Sequence, residues 1–357
     1  MRGVEQMSHG TSGSPVGVAL LGYGAIAEMH ALALRAAGAR ILVVAGPNEA
    51  EAQTFASRHG IPQAVQDPAE AIEGTGVEAV VIASPTQMHV AQTKAALRAG
   101  RHVLVEIPLA TSLVEAEKLV VLAASSGLTL AVCHTLRYWD PVLTAHRWLA
   151  AQPAKPTNVV ARGLSLRHAN VGWTGRQRSW TDDLLWHHGG HVVDLVLALL
   201  GDEVVTVQAT SGPTWAPSGR AMDHAISLGT RGGAVATIAL SYHARISASE
   251  YLVIGEQETL LIAGAEIRTS GAALVTGLDV SSVQDAAIAA QDADFLDSVR
   301  TGRPTASDAA LILPSVRILQ TVSDLAAARA SETTALAVDA RKPESEPTAT
   351  NRNPSSR

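Results

Sequence analysis

Val16-Gly17-Val18-Ala19-Leu20-Leu21-Gly22-Tyr23-Gly24-Ala25-Ile26-Ala27 is the stretch on which the fold turns. The apolar run ending at Leu21 reads as a buried β-strand, and the residues after it, including Met29 to Ala36, carry a helical pattern. Gly22 permits a tight turn, Gly24 lets the backbone approach a pyrophosphate, and the small Ala27 lets helix pack on strand. Ala25 and Ile26 then stand at a helix N-terminus, where free backbone N–H groups and the helix dipole favour negative charge. A Gly-containing turn alone is a weak signal. Placed on the first strand of an alternating pattern, it reads as a dinucleotide-binding turn.

Outward from that turn, β-rich runs at Arg40 to Ala45, Glu78 to Ala83, His102 to Glu106 and Leu128 to Val132 alternate with helical segments. This rhythm predicts an α/β domain, a Rossmann doubly wound parallel sheet over residues 16–137. From Tyr138 the rhythm changes: a helix, a strand at Asn158 to Leu166, a helix from Asp183 to Leu200, several strands up to Ile267, then helices at Gln284 to Arg300 and Asp308 to Arg329. Residues 138–330 therefore read as an α+β domain with a largely antiparallel sheet, suited to hold substrate and to form a homo-oligomer, a dimer or tetramer. The Gly- and Ser-rich start, 1–15, and the polar, Pro-containing end, 339–357, are expected to be disordered tails.

A chain of 357 residues is long enough for two such cores. Its net charge of −6, with no block of like charge, argues against nucleic acid and against an anionic membrane as partner. The single cysteine, Cys133, cannot close an internal disulfide, and Val16 to Ala27 is too short and too glycine-rich to span a bilayer. A cytoplasmic protein acting on a small molecule is the expectation.

An acid at the end of the second strand would accept hydrogen bonds from the adenosine ribose and repel a 2′-phosphate. Here the chain reads Val44-Ala45-Gly46-Pro47-Asn48-Glu49, with no acid at Gly46. NADP is the expected cofactor, with NAD possible, since no arginine stands ready for the phosphate.

Two further segments, Ser84-Pro85-Thr86-Gln87-Met88-His89 and Glu106-Ile107-Pro108-Leu109, follow the next strands. With the turn, they make the chain resemble the Gfo/Idh/MocA oxidoreductases from Val16 to about Ala328. The resemblance implies that Ser84, Pro85, Thr86 and His89 lie along the dinucleotide, and that Glu106, Ile107 and Pro108 lie near the nicotinamide. It also implies a lysine at position 107, where this chain has isoleucine, which can neither donate a proton nor polarise an oxygen. The family's second-domain helix carries Asp, then His, then Asp; this chain has His187, His191 and Asp194, on one helical face, with His188 about 100° round. Glu-Ile-Pro and the doubled histidine, together with His134-Thr135, Arg137, Ala221-Met222-Asp223 and Gln291-Asp292, look like one branch. That branch oxidises the cyclic hemiacetal of 4-carboxy-2-hydroxymuconate-6-semialdehyde to 2-pyrone-4,6-dicarboxylate in protocatechuate breakdown.

Removing a hydride from a hemiacetal carbon requires a base for the hydroxyl proton, and an imidazole suits that task near neutral pH. His191 is the expected base, His187 its partner or alternate, and Asp194 an orienter. A dicarboxylate substrate calls for planar bidentate donors. Arg137, Arg167 and Arg178 are the candidates, with His134 and His188 beside them and Trp180 as a wall for the flat ring. The His187 to His191 spacing also matches a zinc pair. No glutamate lies between the two histidines and hydride transfer of this kind needs no metal, so none is expected. Two other functions fit the same fold: a sugar or cyclitol dehydrogenase, which predicts the missing lysine, and a non-catalytic dinucleotide sensor, against which the histidine cluster argues.

Overall fold

A computed structural model describes residues 14–152, 155–171, 179–181 and 183–339, with side chains as far as 328. The two expected tails fall almost wholly outside these residues. The first sheet contains β1 (Gly17–Leu21), β2 (Arg40–Ala45), β3 (Gln63–Val65), β4 (Ala79–Ile82), β5 (His102–Val105) and β6 (Leu130–Val132). All its strand pairs are parallel, in the order β3-β2-β1-β4-β5-β6, so the strand order reverses between β1 and β4. Ligands of doubly wound sheets bind at that switch point, beyond the carboxyl ends of the strands. The sequence pattern locates five of these six strands. It misses β3, a three-residue strand with one buried side chain, too short for periodicity to register.

The crossover helices are α1 (Ala25–Ala36), α2 (Glu49–Arg58), α3 (Pro68–Glu73), α4 (His89–Arg98) and α5 (Leu113–Ser126). Every residue of β1 is buried, as expected for a strand covered on both faces. Leu20 and Leu34 are fully enclosed between β1 and α1, and side chains buried this way contribute about 1.5–3 kcal/mol each.

Past α6 (Asp140–Ala150) the second sheet holds β7 (Asn158–Leu166), β8 (Val204–Ser211), β11 (Asp223–Thr230), β12 (Val235–Ser241), β13 (His243–Ile254), β14 (Thr259–Ala263), β15 (Glu266–Thr269) and β16 (Ala273–Val275). A small hairpin, β9 (Thr214–Trp215) with β10 (Arg220–Ala221), stands apart. The sheet is antiparallel except where β12 runs parallel to β7. Helix α7 (His188–Leu200) packs on β7 and β12. The closing helices α8 (Val280–Thr301) and α9 (Ala309–Asp339) return to the first sheet, α8 against α1 and α9 against α5 and β6. The stretch Ala309–Ala328 is apolar and long enough to cross a membrane, but Ile312, Leu319 and Val322 are buried in the protein core.

Candidate active site

At the switch point, Gly22 has φ +117°, and a Cβ there would stand 2.5 Å from the Ala83 carbonyl oxygen. Only glycine fits between β1 and the end of β4. A Cβ on Gly24 would meet nothing within 4 Å, so the start of α1 opens onto space that a pyrophosphate can enter. These two glycines, with the N–H groups of Ala25 and Ile26, fit a dinucleotide. Ser84 and Pro85 line the next loop, where the Ser84 hydroxyl donates to Gln92 Oε1 at 2.5 Å and Thr86 is buried. His89 is buried beneath them: its Nδ1 lies 2.8 Å from the Pro108 carbonyl oxygen and its Nε2 2.9 Å from that of Ser84. It ties the loop after β4 to the loop after β5.

Gly46 has a structural cause that sequence did not show. A Cβ at that position would lie 2.0 Å from Cε1 of Tyr23, so the Tyr23 ring fills the space where an acidic side chain would otherwise begin. The Tyr23 hydroxyl accepts from the Asn48 N–H at 3.2 Å.

Ile107 is buried in the core and Pro108 follows it through a cis peptide bond. Glu106, just before, is held from within. His30, fully buried on α1, places Nε2 3.0 Å from Glu106 Oε1 and Nδ1 2.8 Å from Asp292 Oδ2 of α8. Burial would lower the proton affinity of His30, but the charge and hydrogen bond of Asp292 raise it well above the ordinary imidazole value. Burial pushes the Glu106 carboxyl up, and the His30 hydrogen bond and charge, with His191 and His89, bring it below its usual range. His30, Glu106 and Cys133 have donor atoms within 4.8 Å of one another and are the described residues grouped closely enough to ligate a metal. Both His30 nitrogens already face carboxylates, and burial pushes the Cys133 thiol far up, away from the thiolate a metal would need. The arrangement is a hydrogen-bonded chain.

Opposite Glu106 stands the start of α7. The helix expected from Asp183 begins five residues later: Asp183 instead accepts from the N–H groups of Leu185 and Trp186 at 3.0 and 3.1 Å, closing a turn before the helix. Gly189 and Gly190 let this end seat closely, since a Cβ on Gly189 would be 3.0 Å from Leu240 Cδ1. The result gathers His187, His188 and His191 with His134, whose ring meets His191 edge-on at 5.4 Å between centroids. Burial, then the neighbouring His134 and His187, push the proton affinity of His191 well below the ordinary value, against the pull of Glu106. Nδ1 of His191 is buried without a hydrogen-bond partner among the described residues.

Asp194 faces His134 at 3.4 Å and accepts two bonds from Arg137, from Nε and Nη2, each at 2.7 Å. Arg137 also donates to the carbonyl oxygens of Ala306 and Leu311. Its donors are thus turned to the protein, and Asp194 supports His134 rather than touching His191 directly.

Arg167 lies at the other side of His188. Its guanidinium sits 5.5 Å from the Tyr242 ring centroid and donates to the Tyr242 hydroxyl at 3.2 Å and to Asn170 Oδ1 at 2.5 Å. Burial and the charge of Arg167 both lower the proton affinity of His188. The His188 and Tyr242 rings are 6.0 Å apart, Trp180 stands 6.5 Å from Tyr242, and Trp215 lies 6.2 Å from Trp180. Arg178 falls outside the described residues. Sequence reading missed His30, Tyr242 and Trp215. For His30 a signal existed, a lone polar side chain among Ala27, Ala31 and Leu34 on the buried face of α1.

The parallel sheet, the glycine turn and the histidine cluster facing it define a nicotinamide-dependent dehydrogenase acting on a CH–OH group. Residues 16–134 match the oxidoreductase family with an NAD-binding Rossmann fold, and 145–284 match the C-terminal domain of bacterial oxidoreductases. The chain belongs to this Gfo/Idh/MocA oxidoreductase family. Over 319 residues it is 31% identical to a 4-carboxy-2-hydroxymuconate-6-semialdehyde dehydrogenase of Sphingobium sp., covering 85% of this chain and 96% of that one. It is 28% identical over 199 residues to a scyllo-inositol 2-dehydrogenase (NAD(+)) of Bacillus subtilis, covering 53% and 55%. Solved structures with the same fold include UDP-N-acetylglucosamine 3-dehydrogenase GnnA from Acidithiobacillus ferrooxidans (TM-score 0.74, 24% identity, 88% of this chain and 98% of that one). Another is GenD2 from gentamicin A biosynthesis in complex with NAD (TM-score 0.77, 23% identity, 91% and 97%).

Proposed function

We propose that this chain is a cytoplasmic, NADP-dependent dehydrogenase that oxidises the cyclic hemiacetal of 4-carboxy-2-hydroxymuconate-6-semialdehyde to 2-pyrone-4,6-dicarboxylate. The observation that carries the reading is the site opposite Glu106: four histidines gather where a lysine-based site would be, and position 107 is a buried isoleucine. The full-length likeness to the semialdehyde dehydrogenase of Sphingobium sp. supports the same substrate class, whereas the inositol dehydrogenase covers about half of each chain.

Gly22, Gly24, Ala25, Ile26, Ser84, Pro85, Thr86 and Glu106 would hold the dinucleotide, with His89 and Pro108 supporting the loops and Ile107 closing the floor. When bound, the nicotinamide supplies the hydride acceptor. His191 takes the hydroxyl proton. Its depressed proton affinity keeps it neutral and able to accept near pH 7, and the Glu106 anion stabilises the imidazolium that forms. His134 and His187 surround it, and Asp194 holds His134 in place. Arg167, with His188, recognises a substrate carboxylate, and Trp180 walls the ring. Arg178 joins them on sequence grounds alone.

The chain would work as a homo-oligomer through the outer face of its second sheet. There Val160, Leu252 and Leu261 are cross-strand neighbours and stay half-exposed.

Product analysis tests the reaction. With NADP and the semialdehyde, the native enzyme should form 2-pyrone-4,6-dicarboxylate and NADPH in equal amounts, and His191→Ala should form neither at a comparable rate. Native enzyme that reduces no dinucleotide with the semialdehyde refutes the assignment.

A further inference from the structure

The chain Asp292–His30–Glu106 crosses three separate elements, α8, α1 and the end of β5, and its two inner members are fully buried. Such a chain needs a reason. Burying charged side chains costs several kcal/mol unless each is paired, and an apolar trio would fill the same space without that cost. Its outer end is not a generic surface. Glu106 is its only partly exposed member, and it lies within electrostatic reach of His191 across the site.

We propose that His30 and Asp292 are positioning residues for proton transfer: by holding Glu106 in place as an anion at the site end of the chain, they set how readily His191 accepts the substrate proton. The inference rests on the reading of His191 as the base.

The physical steps are these. A carboxylate taken out of water tends to hold its proton. A cationic neighbour at hydrogen-bond distance reverses that tendency. His30 can be that cation because Asp292, 2.8 Å from its other nitrogen, offsets the cost of charging a buried ring. Glu106 then keeps its negative charge, which favours the imidazolium form of His191 as the proton arrives. The other groups facing this carboxylate are the Cys133 thiol, held protonated by burial, His89 on α4, and His134 after β6. Around His191 stand His134, His187 and His188, all of which oppose its protonation, and two carboxylates act against them, Glu106 from the end of β5 and Asp194 from α7.

The account predicts opposite pH shifts from the two ends of the chain. Glu106→Gln removes the anion beside His191, so the acid limb of kcat should move to lower pH while the plateau falls about tenfold. In His30→Gln or Asp292→Asn the carboxylate remains but loses its cation. Glu106 then protonates at higher pH, and the acid limb should move upward by about one pH unit. Dinucleotide affinity, read by fluorescence quenching, should change less than about threefold in His30→Gln and in Asp292→Asn. The double variant His30→Gln/Glu106→Gln should behave as Glu106→Gln alone, because the two act through one group.

An acid limb that stays at the native position in His30→Gln and Asp292→Asn, with fold and dinucleotide affinity intact, overturns the proposal. His191→Gln separates this failure from failure of the base assignment: if the limb survives that change, His191 is not the base. Should the buried variants not fold, the native protein gives the answer through nitrogen-labelled histidine NMR. His30 should keep both ring protons at pH 7 while His191 is neutral there, and a neutral His30 at pH 7 overturns the proposal.

Discussion

Arg137 grips Asp194 through two parallel hydrogen bonds of 2.7 Å, joining the turn after β6 to the middle of α7 with the Asp194 carboxylate 3.4 Å from His134. The carboxylate is nearly inaccessible and the guanidinium largely so. Removing one partner leaves the other buried and unpaired, so Arg137→Ala should destabilise the protein by about 3 kcal/mol in chemical denaturation. A loss below about 1 kcal/mol would mean the pair is not a brace.

The pH dependence of that brace has a definite sign. Burial pushes Asp194 up, but the charges of His134 and Arg137 hold it below its ordinary value of 3.8. Its stabilising contribution is therefore complete above 3.8 and is lost as pH falls through the lower, folded value. Comparing native protein with Asp194→Asn, the stability gap should be constant from pH 5 to 7 and narrow below about pH 4. A gap that widens on acidification contradicts this assignment.

The proposed NADP preference puts the test at Tyr23 and Gly46. An aspartate at 46 alone would collide with the Tyr23 ring, so the informative variant is Tyr23→Ala/Gly46→Asp, compared with Tyr23→Ala. The added carboxylate should lower kcat/KM for NADP by about tenfold or more and spare NAD, through repulsion of the 2′-phosphate. Equal losses for both cofactors would place the 2′-phosphate elsewhere. Native enzyme that prefers NAD by about tenfold would remove the NADP assignment altogether.

Base catalysis by His191 predicts that native kcat rises with pH to a plateau whose midpoint lies below the ordinary imidazole value of 6.5. His191→Ala should lower the plateau by about 100-fold while dinucleotide binding persists. A midpoint above 6.5, or near-native kcat in the variant, contradicts the assignment.

Much of this was legible in the chain. Period-two and apolar runs located the parallel sheet because its strands are covered on both faces, and β1 shows this at every residue. The glycine turn was legible because Gly22 answers a local steric demand. Contacts between distant segments were not. His30 and Asp292 are separated by 262 positions and meet only when α8 folds back on α1. Arg137 looked like a free donor until α7 presented Asp194 to it, and the glycine at 46 looked like a missing acid until the Tyr23 ring was found above it.

On the proposed function, the site recognises a carboxylated ring rather than a neutral polyol, and Arg167 beside His188 would be the group that distinguishes them. The direct measurement is kcat/KM with NADP for the carboxylated semialdehyde and for scyllo-inositol, on native enzyme and on Arg167→Ala. The account predicts strong preference for the semialdehyde. It also predicts a loss in Arg167→Ala of about 1.5–3 kcal/mol in transition-state stabilisation, expressed mainly in KM and confined to the dicarboxylate. Faster turnover of the inositol by native enzyme, or an unchanged KM in Arg167→Ala, would contradict it.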